Sequence, residues 1–246
     1  MNSSSKAIIK TEDRDDLLLE GEAKCDEAIS LVQEGDYSSA LDSFDCAEDI
    51  FLKINDQHWL NFLRHEKFRV FQQLNRYEDA LEITEKIIEG YYETMNRNGL
   101  SLILIHKSDI LMEMGKRHDA LASLNLAKAV IESEKLHDLK GYLNSNLAMV
   151  HMALEDFVSA IKALQTALNS YPEESNPSEY AWCLFQLGIC YKKTYDYNSA
   201  ESHLTASYQT YSRTSEYDMQ KQVLEVLREI YAATNQLKKL SNLELI

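Results

Sequence analysis

Glycine and proline are scarce in this chain of 246 residues, which holds seven glycines and two prolines. Average proteins use them at roughly 7 % and 5 % of positions, and sheet-rich folds need them for their many turns. No Gly-x-Gly pair occurs either, so the clustered glycines of phosphate-binding loops are missing. The scarcity predicts long helices joined by short polar connections, and it excludes a Walker or Rossmann nucleotide site.

Paired cysteines and long apolar runs are also missing. The four cysteines (25, 46, 183 and 190) show no Cys-x-x-Cys spacing, which argues against a zinc or redox motif. The apolar runs, such as residues 102–105, are far too short to span a bilayer, and no apolar signal segment opens the chain. Scattered thiols fit a reducing compartment, so we expect a cytoplasmic protein without membrane contact.

Basic residues are fewer than acidic ones, and the net charge of the chain is −15. Residues 1–50 contain fourteen Asp or Glu against four Lys or Arg and therefore carry most of the excess. Nucleic acid and anionic membranes both require a basic face, so neither is expected as a partner. Two interpretations of the acidic end stay open: a solvated capping face, or a docking surface for a basic partner.

What the chain does contain is an alanine every forty residues, at positions 40, 80, 120, 160 and 200. Four residues after each stands Phe44, Thr84, Leu124, Leu164 or Leu204. Spacings of three and four mark one face of a helix. A turn precedes each alanine by five residues, and three of these turns place Asp36, Asp156 or Asp196 where a helix N-cap is needed.

A second helix pattern recurs between these segments at the same period. Its expected N-caps are Asn98, Asp138, Ser178 and Asp218, with Asn55 or Asp56 capping the helix that includes His58. The period predicts an all-α solenoid of about six helical hairpins. Its expected units are residues 18–56, 57–96, 97–136, 137–176, 177–216 and a truncated 217–246, preceded by a flexible acidic segment at 1–17 and interrupted by a linker at 171–178.

These columns resemble tetratricopeptide repeats. The resemblance is clearest in Leu184…Leu187-Gly188…Tyr191…Ala200…Leu204 and in Leu147-Ala148…Ala160…Leu164…Ala167…Pro172. In the first two units Phe68, Lys24 and Arg64 depart from the motif. The forty-residue period is longer than the usual thirty-four and is similar to that of peptide-receptor regulators of the Rap and PlcR type and of some eukaryotic scaffolds.

The resemblance implies a right-handed α-α superhelix. It also implies a groove lined by the first helix of each unit, with a protein or peptide partner bound in it. Large apolar residues recur at its first column, and polar residues stand between them, as in peptide capture. For Phe62 and Leu102 a core position is an equally open interpretation. Arg69 and His65 lie one turn apart and could take a carboxylate, or Arg69 pairs with a neighbouring acid such as Glu66. The expected partner-binding residues are Phe62, His65, Arg69, Leu102, His106, Asp109, Tyr142, Asn146, Met149, Trp182, Phe185 and Gln186.

Catalysis has little support in the sequence. The seven histidines form no metal-binding spacing, and no Gly-x-Ser-x-Gly elbow occurs. His151 occupies a packing column and is interpreted as a core histidine. We therefore expect no catalytic residue, no metal and no cofactor.

The leading hypothesis is a non-enzymatic adaptor or regulator that binds a partner segment in its groove. One alternative is an architectural subunit that assembles through its edges, including a homo-oligomer formed through Leu237, Leu240, Leu243 and Leu245 near the C-terminus. A phosphatase-like regulator of a signalling protein is the third hypothesis.

Overall fold

A computed structural model describes residues 11–236, 238 and 239, with no side-chain description for residues 11 and 12. In this part of the chain every regular element is a helix, so the predicted all-α class of helical hairpins is confirmed. The chain divides into two compact units, residues 1–114 and 115–246. The first contains α1 (Thr11–Glu34), α2 (Tyr37–Ile54), α3 (Gln57–Gln73), α4 (Tyr77–Glu93) and α5 (Arg97–Glu113). The second contains α6 (Arg117–Ser133), α7 (Lys140–Ala153), α8 (Phe157–Leu168), α9 (Pro177–Lys193), α10 (Tyr197–Thr214) and α11 (Tyr217–Ala233), with a 3₁₀ turn at His137–Leu139 before α7.

The helices end at a spacing of twenty residues. At almost every end one residue takes a left-handed conformation, and the next amide donates to the carbonyl five residues back, which terminates the helix in a Schellman motif. The predicted turns at Gly35, Asn75, Gly115, Glu155 and Tyr195 all have this positive φ. The other left-handed residues are Asn55, Met95, Lys135, Ser215 and Asn235. The break in the series falls at residues 169–176, where α8 ends early, and overlaps the linker predicted at 171–178.

The predicted N-caps of the second helices agree with the structure, and so does one of those predicted for the first helices. Asp36, Asp156 and Asp196 each accept a hydrogen bond from the backbone N–H three residues on. Asp56, one of the two alternatives, caps α3 in the same way.

The other predicted caps of first helices were wrong by two residues. Asn96 rather than Asn98 caps α5, and α9 and α11 follow Asn176 and Glu216. The Schellman turn sets where the next helix begins, so Asn98, Ser178 and Asp218 lie in the first turn, and Asp138 lies in the 3₁₀ turn.

The first unit buries its repeat columns and adds a polar cluster. Ala40, Ala80 and Phe44 are fully buried between successive helices. Arg64, which departs from the repeat motif, donates to Glu48 at 3.0 Å, and the buried Lys67 reaches Glu48 at 2.8 Å and Asp45 at 2.5 Å. These ion pairs tie α3 to α2 where an apolar contact would otherwise be expected.

The second unit follows the repeat pattern more closely. Ala120, Ala160 and Ala200 are fully buried, as predicted for residues at helix crossings. In α9, Gly188 lets α10 approach, because a Cβ at this position would lie only 2.5 Å from Leu204 Cγ. Each helix of this unit packs on the next, and α11 also contacts α9.

Two boundaries differ from those expected. Helix α1 begins at Thr11, so residues 11–17 of the segment expected to be flexible are helical, and residues 1–10 lie outside the described part. The expected hairpin 97–136 is divided at residue 114, with α5 in one unit and α6 in the other. The C-terminal leucines 237, 240, 243 and 245 lie outside the described residues.

Candidate binding pocket in the second unit

A cavity of about 440 Å³ opens between α7, α9 and the start of α11. We call it the aromatic pocket. Its lining consists of Tyr142, Ser145, Asn146, Met149, Tyr171, Ser178, Glu179, Trp182, Tyr211, Glu216 and Met219. Aromatic rings and thioethers form most of its wall, and hydroxyl, amide and carboxylate groups stand among them.

The forty-residue period brings the wall together. Tyr142 in α7 and Trp182 in α9 occupy the same place in successive units, and both are half-buried at the pocket. Stacked first helices present equivalent positions side by side, which is why residues so distant in sequence share one cavity.

Tyr171 and Tyr211 complete the wall from the ends of second helices and were missed by the sequence analysis. A signal for them exists, because Phe51, Tyr91, Ile131, Tyr171 and Tyr211 form a column at forty-residue spacing.

Tyr171 is held against the backbone of α7 by Gly141. A Cβ on Gly141 would lie 2.6 Å from Tyr171 Cζ, so only glycine leaves room for the ring in this position. Burial raises the pKa of Tyr171, and burial raises the pKa of Cys183 to about 12, so both groups stay protonated and uncharged at neutral pH.

Two carboxylates give the pocket its charge. Glu216 accepts hydrogen bonds from the Ser178 and Thr214 hydroxyls, each at 2.7 Å, and Glu179 lies one turn into α9. Burial, followed by the nearby Glu216 charge, raises the pKa of Tyr211 well above its usual value. None of the lining residues is Lys, Arg or His, so at neutral pH the pocket is apolar with a negative rim.

Of the six residues predicted for the groove in this unit, four line the pocket: Tyr142, Asn146, Met149 and Trp182. Met149 is 42 % exposed, which places its thioether at the open side. Asn146 donates from Nδ2 to the Tyr142 carbonyl at 2.9 Å, so its own helix uses part of its hydrogen-bonding capacity.

Phe185 and Gln186 need correction. Phe185 is only 6 % exposed and belongs to the core formed with α10 and α11, and Gln186 is buried as well. Helix α11 packs on α9 as well as on α10 and covers the face that the sequence predicted to be open. Neither side chain lines the pocket.

The predicted residues on α3 lie in the first unit. Phe62 is 38 % exposed and packs edge-on against Trp59, and the exposed Arg69 pairs with Glu66 at 3.2 Å. His65 is half-buried, with Nε2 2.5 Å from the Tyr91 hydroxyl. Arg69 thus follows the alternative of pairing with its own helix.

Three of the predicted binding residues lie on α5, and all three are half-buried: Leu102, His106 and Asp109. His106 Nδ1 lies 3.7 Å from an Asp109 carboxylate oxygen, and its ring lies beside Phe68 with centroids 6.2 Å apart. All six residues predicted in the first unit therefore lie on α3 or α5, and none of them lines the aromatic pocket.

Residues 141–213, which hold most of the pocket, match the model of the tetratricopeptide repeat family. That match covers less than half of the chain. No curated protein matches its sequence.

Three solved structures illustrate proteins with which this chain shares its fold. RapI in its apo form gives a TM-score of 0.80 at 12 % identity, over 92 % of this chain and 66 % of RapI. A signal transduction ATPase with numerous domains and a tetratricopeptide repeat sensor, from Pyrococcus horikoshii, gives 0.80 at 16 % identity, over 93 % of this chain and 35 % of that protein. BtubC from P. vanneervenii gives 0.69 at 17 % identity, over 76 % and 78 %.

The described residues contain no group of three or more His, Cys, Asp or Glu able to hold a metal ion. In the same part of the chain no helix has the length and apolar character needed to cross a bilayer. His151, interpreted as a core histidine, is half-buried, with Nδ1 3.4 Å from Asp156. What the second unit does provide is an apolar pocket with a few polar groups among its lining residues, a composition that ligand pockets in proteins commonly have.

Proposed function

We propose that this protein is a non-enzymatic, cytoplasmic interaction module that binds a segment of a protein partner in the aromatic pocket. The observation that carries the proposal is the position of Tyr142 and Trp182. Both are large, and both line an open cavity where a purely structural repeat would bury them. Aromatic side chains in such places contribute much of the affinity of protein interfaces.

The dimensions of the pocket support the same function. Its volume of about 440 Å³ lies in the lower part of the range of roughly 300–1,000 Å³ found for binding sites. It therefore fits one or two side chains of a peptide segment. Asn146, Ser145 and Ser178 are placed among the apolar groups, where they could orient a peptide backbone.

The similar structures and the charge are consistent with this class of partner. One of the similar proteins is described as having a tetratricopeptide repeat sensor, which is a binding role for the same kind of repeat. The net charge of −15 opposes nucleic acid and anionic membranes as partners. Assembly through the C-terminal leucines involves residues outside the described part of the chain, so no observation favours it here.

The test is a selection of peptides on the full-length protein from a random 12-residue library displayed on phage, followed by affinity measurements on synthetic peptides. Trp182→Ala and Tyr142→Ala should each weaken the selected peptides by at least about fivefold, as expected for an interface residue that contributes more than about 1 kcal/mol. Tyr195→Ala is the matched control, because Tyr195 is 78 % exposed and does not line the pocket.

Circular dichroism of each variant shows whether the fold is kept. Peptides that bind the Trp182→Ala and Tyr142→Ala variants as tightly as the wild type would refute the pocket. A partner bound by the acidic first fifth of the chain gives a different result, namely steep weakening with salt and no response to either substitution.

A further inference from the structure

The charged groups of the aromatic pocket all have one sign. Glu179 and Glu216 are its only lining residues that carry charge at neutral pH, and no basic residue lines it. A ligand that enters therefore meets two carboxylates at the edge of an apolar cavity. Burying an anion there is unfavourable, whereas a cation gains both electrostatic attraction and hydrogen bonds.

Glu216 is held in a defined orientation. The Ser178 hydroxyl from α9 and the Thr214 hydroxyl from the end of α10 both donate to its Oε1 at 2.7 Å. Both donors are neutral, so they fix the carboxylate without cancelling its charge. Its second oxygen, Oε2, is the acceptor that these two contacts do not use.

The walls between the carboxylates are aromatic. Trp182, Tyr142, Tyr171 and Tyr211 present ring surfaces to one cavity. The π-face of an aromatic ring attracts a cation, and a planar guanidinium stacks on it while its N–H groups reach a carboxylate. Because burial keeps the phenols of Tyr171 and Tyr211 protonated, these rings add no negative charge of their own.

We propose that the aromatic pocket selects a basic side chain of the partner segment, with arginine preferred to lysine, which stacks on the rings and pairs with Glu179 and Glu216. This inference rests on the proposed function, since it names the chemistry that the same pocket recognises. Arginine is preferred because its flat, delocalised cation matches both the ring surfaces and the carboxylates, whereas lysine presents a compact and strongly hydrated charge.

The experiment uses the peptides selected on the full-length protein. Those that depend on Trp182 should share an arginine or lysine, and replacing it by citrulline, which has nearly the same shape without the charge, should weaken binding by at least about tenfold. Lysine in place of arginine should give an intermediate affinity.

Charge removal in the protein provides the reciprocal measurement. Glu179→Gln and Glu216→Gln should each weaken the arginine peptide several-fold and leave the citrulline peptide within about twofold, because an uncharged ligand gains little from a carboxylate. Glu225→Gln is the matched control, since Glu225 is exposed on α11 and does not line the pocket. If Glu216→Gln disturbs the start of α11, the Glu179→Gln variant still measures the effect of removing a carboxylate from the pocket.

Each outcome decides between the two proposals. Trp182-dependent peptides without a shared basic residue, or with equal affinity for the arginine and citrulline forms, leave the proposed function in place and overturn the basic-side-chain inference. Selected peptides that all ignore Trp182→Ala overturn both. A charge effect of equal size in Glu225→Gln would assign the preference to the overall negative field, which also overturns the inference.

Discussion

Acidification should destabilise the first unit through His65. The imidazole Nε2 lies 2.5 Å from the Tyr91 hydroxyl, and burial, with a smaller contribution from His106, lowers the pKa of His65 to about 4. Burial also raises the pKa of Tyr91, so its phenol keeps its proton and donates it to a neutral imidazole. Protonating His65 in the folded protein would remove this acceptor and place a charge in a poorly solvated position.

The sign and size of the effect follow from proton binding. The folded-state pKa lies below the unfolded value of about 6.5, so the unfolded chain binds more protons as the pH falls between about 6.5 and about 4. The free energy of unfolding therefore decreases over this window. With the folded-state pKa at about 4, the loss between about pH 7.5 and about pH 5 is about 2 kcal/mol.

Urea unfolding followed by circular dichroism measures this loss at both pH values. The wild type should lose about 2 kcal/mol more than His65→Gln, which has no group that titrates here. His118→Gln, at an exposed histidine, is the control and should behave as the wild type does. Equal losses in the wild type and in His65→Gln would show that His65 does not titrate as its burial implies, and the reasoning would be refuted.

Three further predictions concern helix packing, the pocket wall and a buried ion pair. Ala160→Leu should cost about 1–3 kcal/mol because Ala160 is fully buried, and an unchanged melting temperature would mean that the helix crossing is misplaced. Gly141→Ala should change the free energy of unfolding by less than about 1 kcal/mol, because the better helix propensity of alanine offsets the clash with Tyr171. The variant should nevertheless weaken peptide binding, because the added Cβ displaces the Tyr171 ring. Undiminished binding would contradict the role of that ring. Glu48→Gln should cost about 3 kcal/mol because the buried Lys67 loses a carboxylate partner, and an unshifted urea midpoint would refute this.

The fold was predictable because each repeat specifies itself locally. Ala40, Ala80, Ala120, Ala160 and Ala200 were all expected at helix contacts, and all are fully buried. The helix starts were less accurate, as with Asn98, where Asn96 is the cap. Several residues near each helix end can cap, and the turn that precedes the helix decides which one does.

The pocket was only partly predictable. Tyr142 and Trp182 were found because one helix position recurs every forty residues. Tyr171 follows the end of α8 and Tyr211 lies on α10, and nothing in the spacing of a single helix shows that their rings reach the same cavity. Glu216 was missed for the same reason, since it enters from the turn between α10 and α11.

The sequence by itself determined the helical class, the forty-residue period, the turns and the buried columns, because all of these depend on residues within one or two helical turns of each other. The tertiary structure decided which surfaces stay open. Ser145 and Phe185 occupy equivalent positions in α7 and α9, yet Ser145 lines the pocket while Phe185 is covered by the core that includes α11. Exposure is set by the neighbour that packs on a residue, and that neighbour lies far away in the chain.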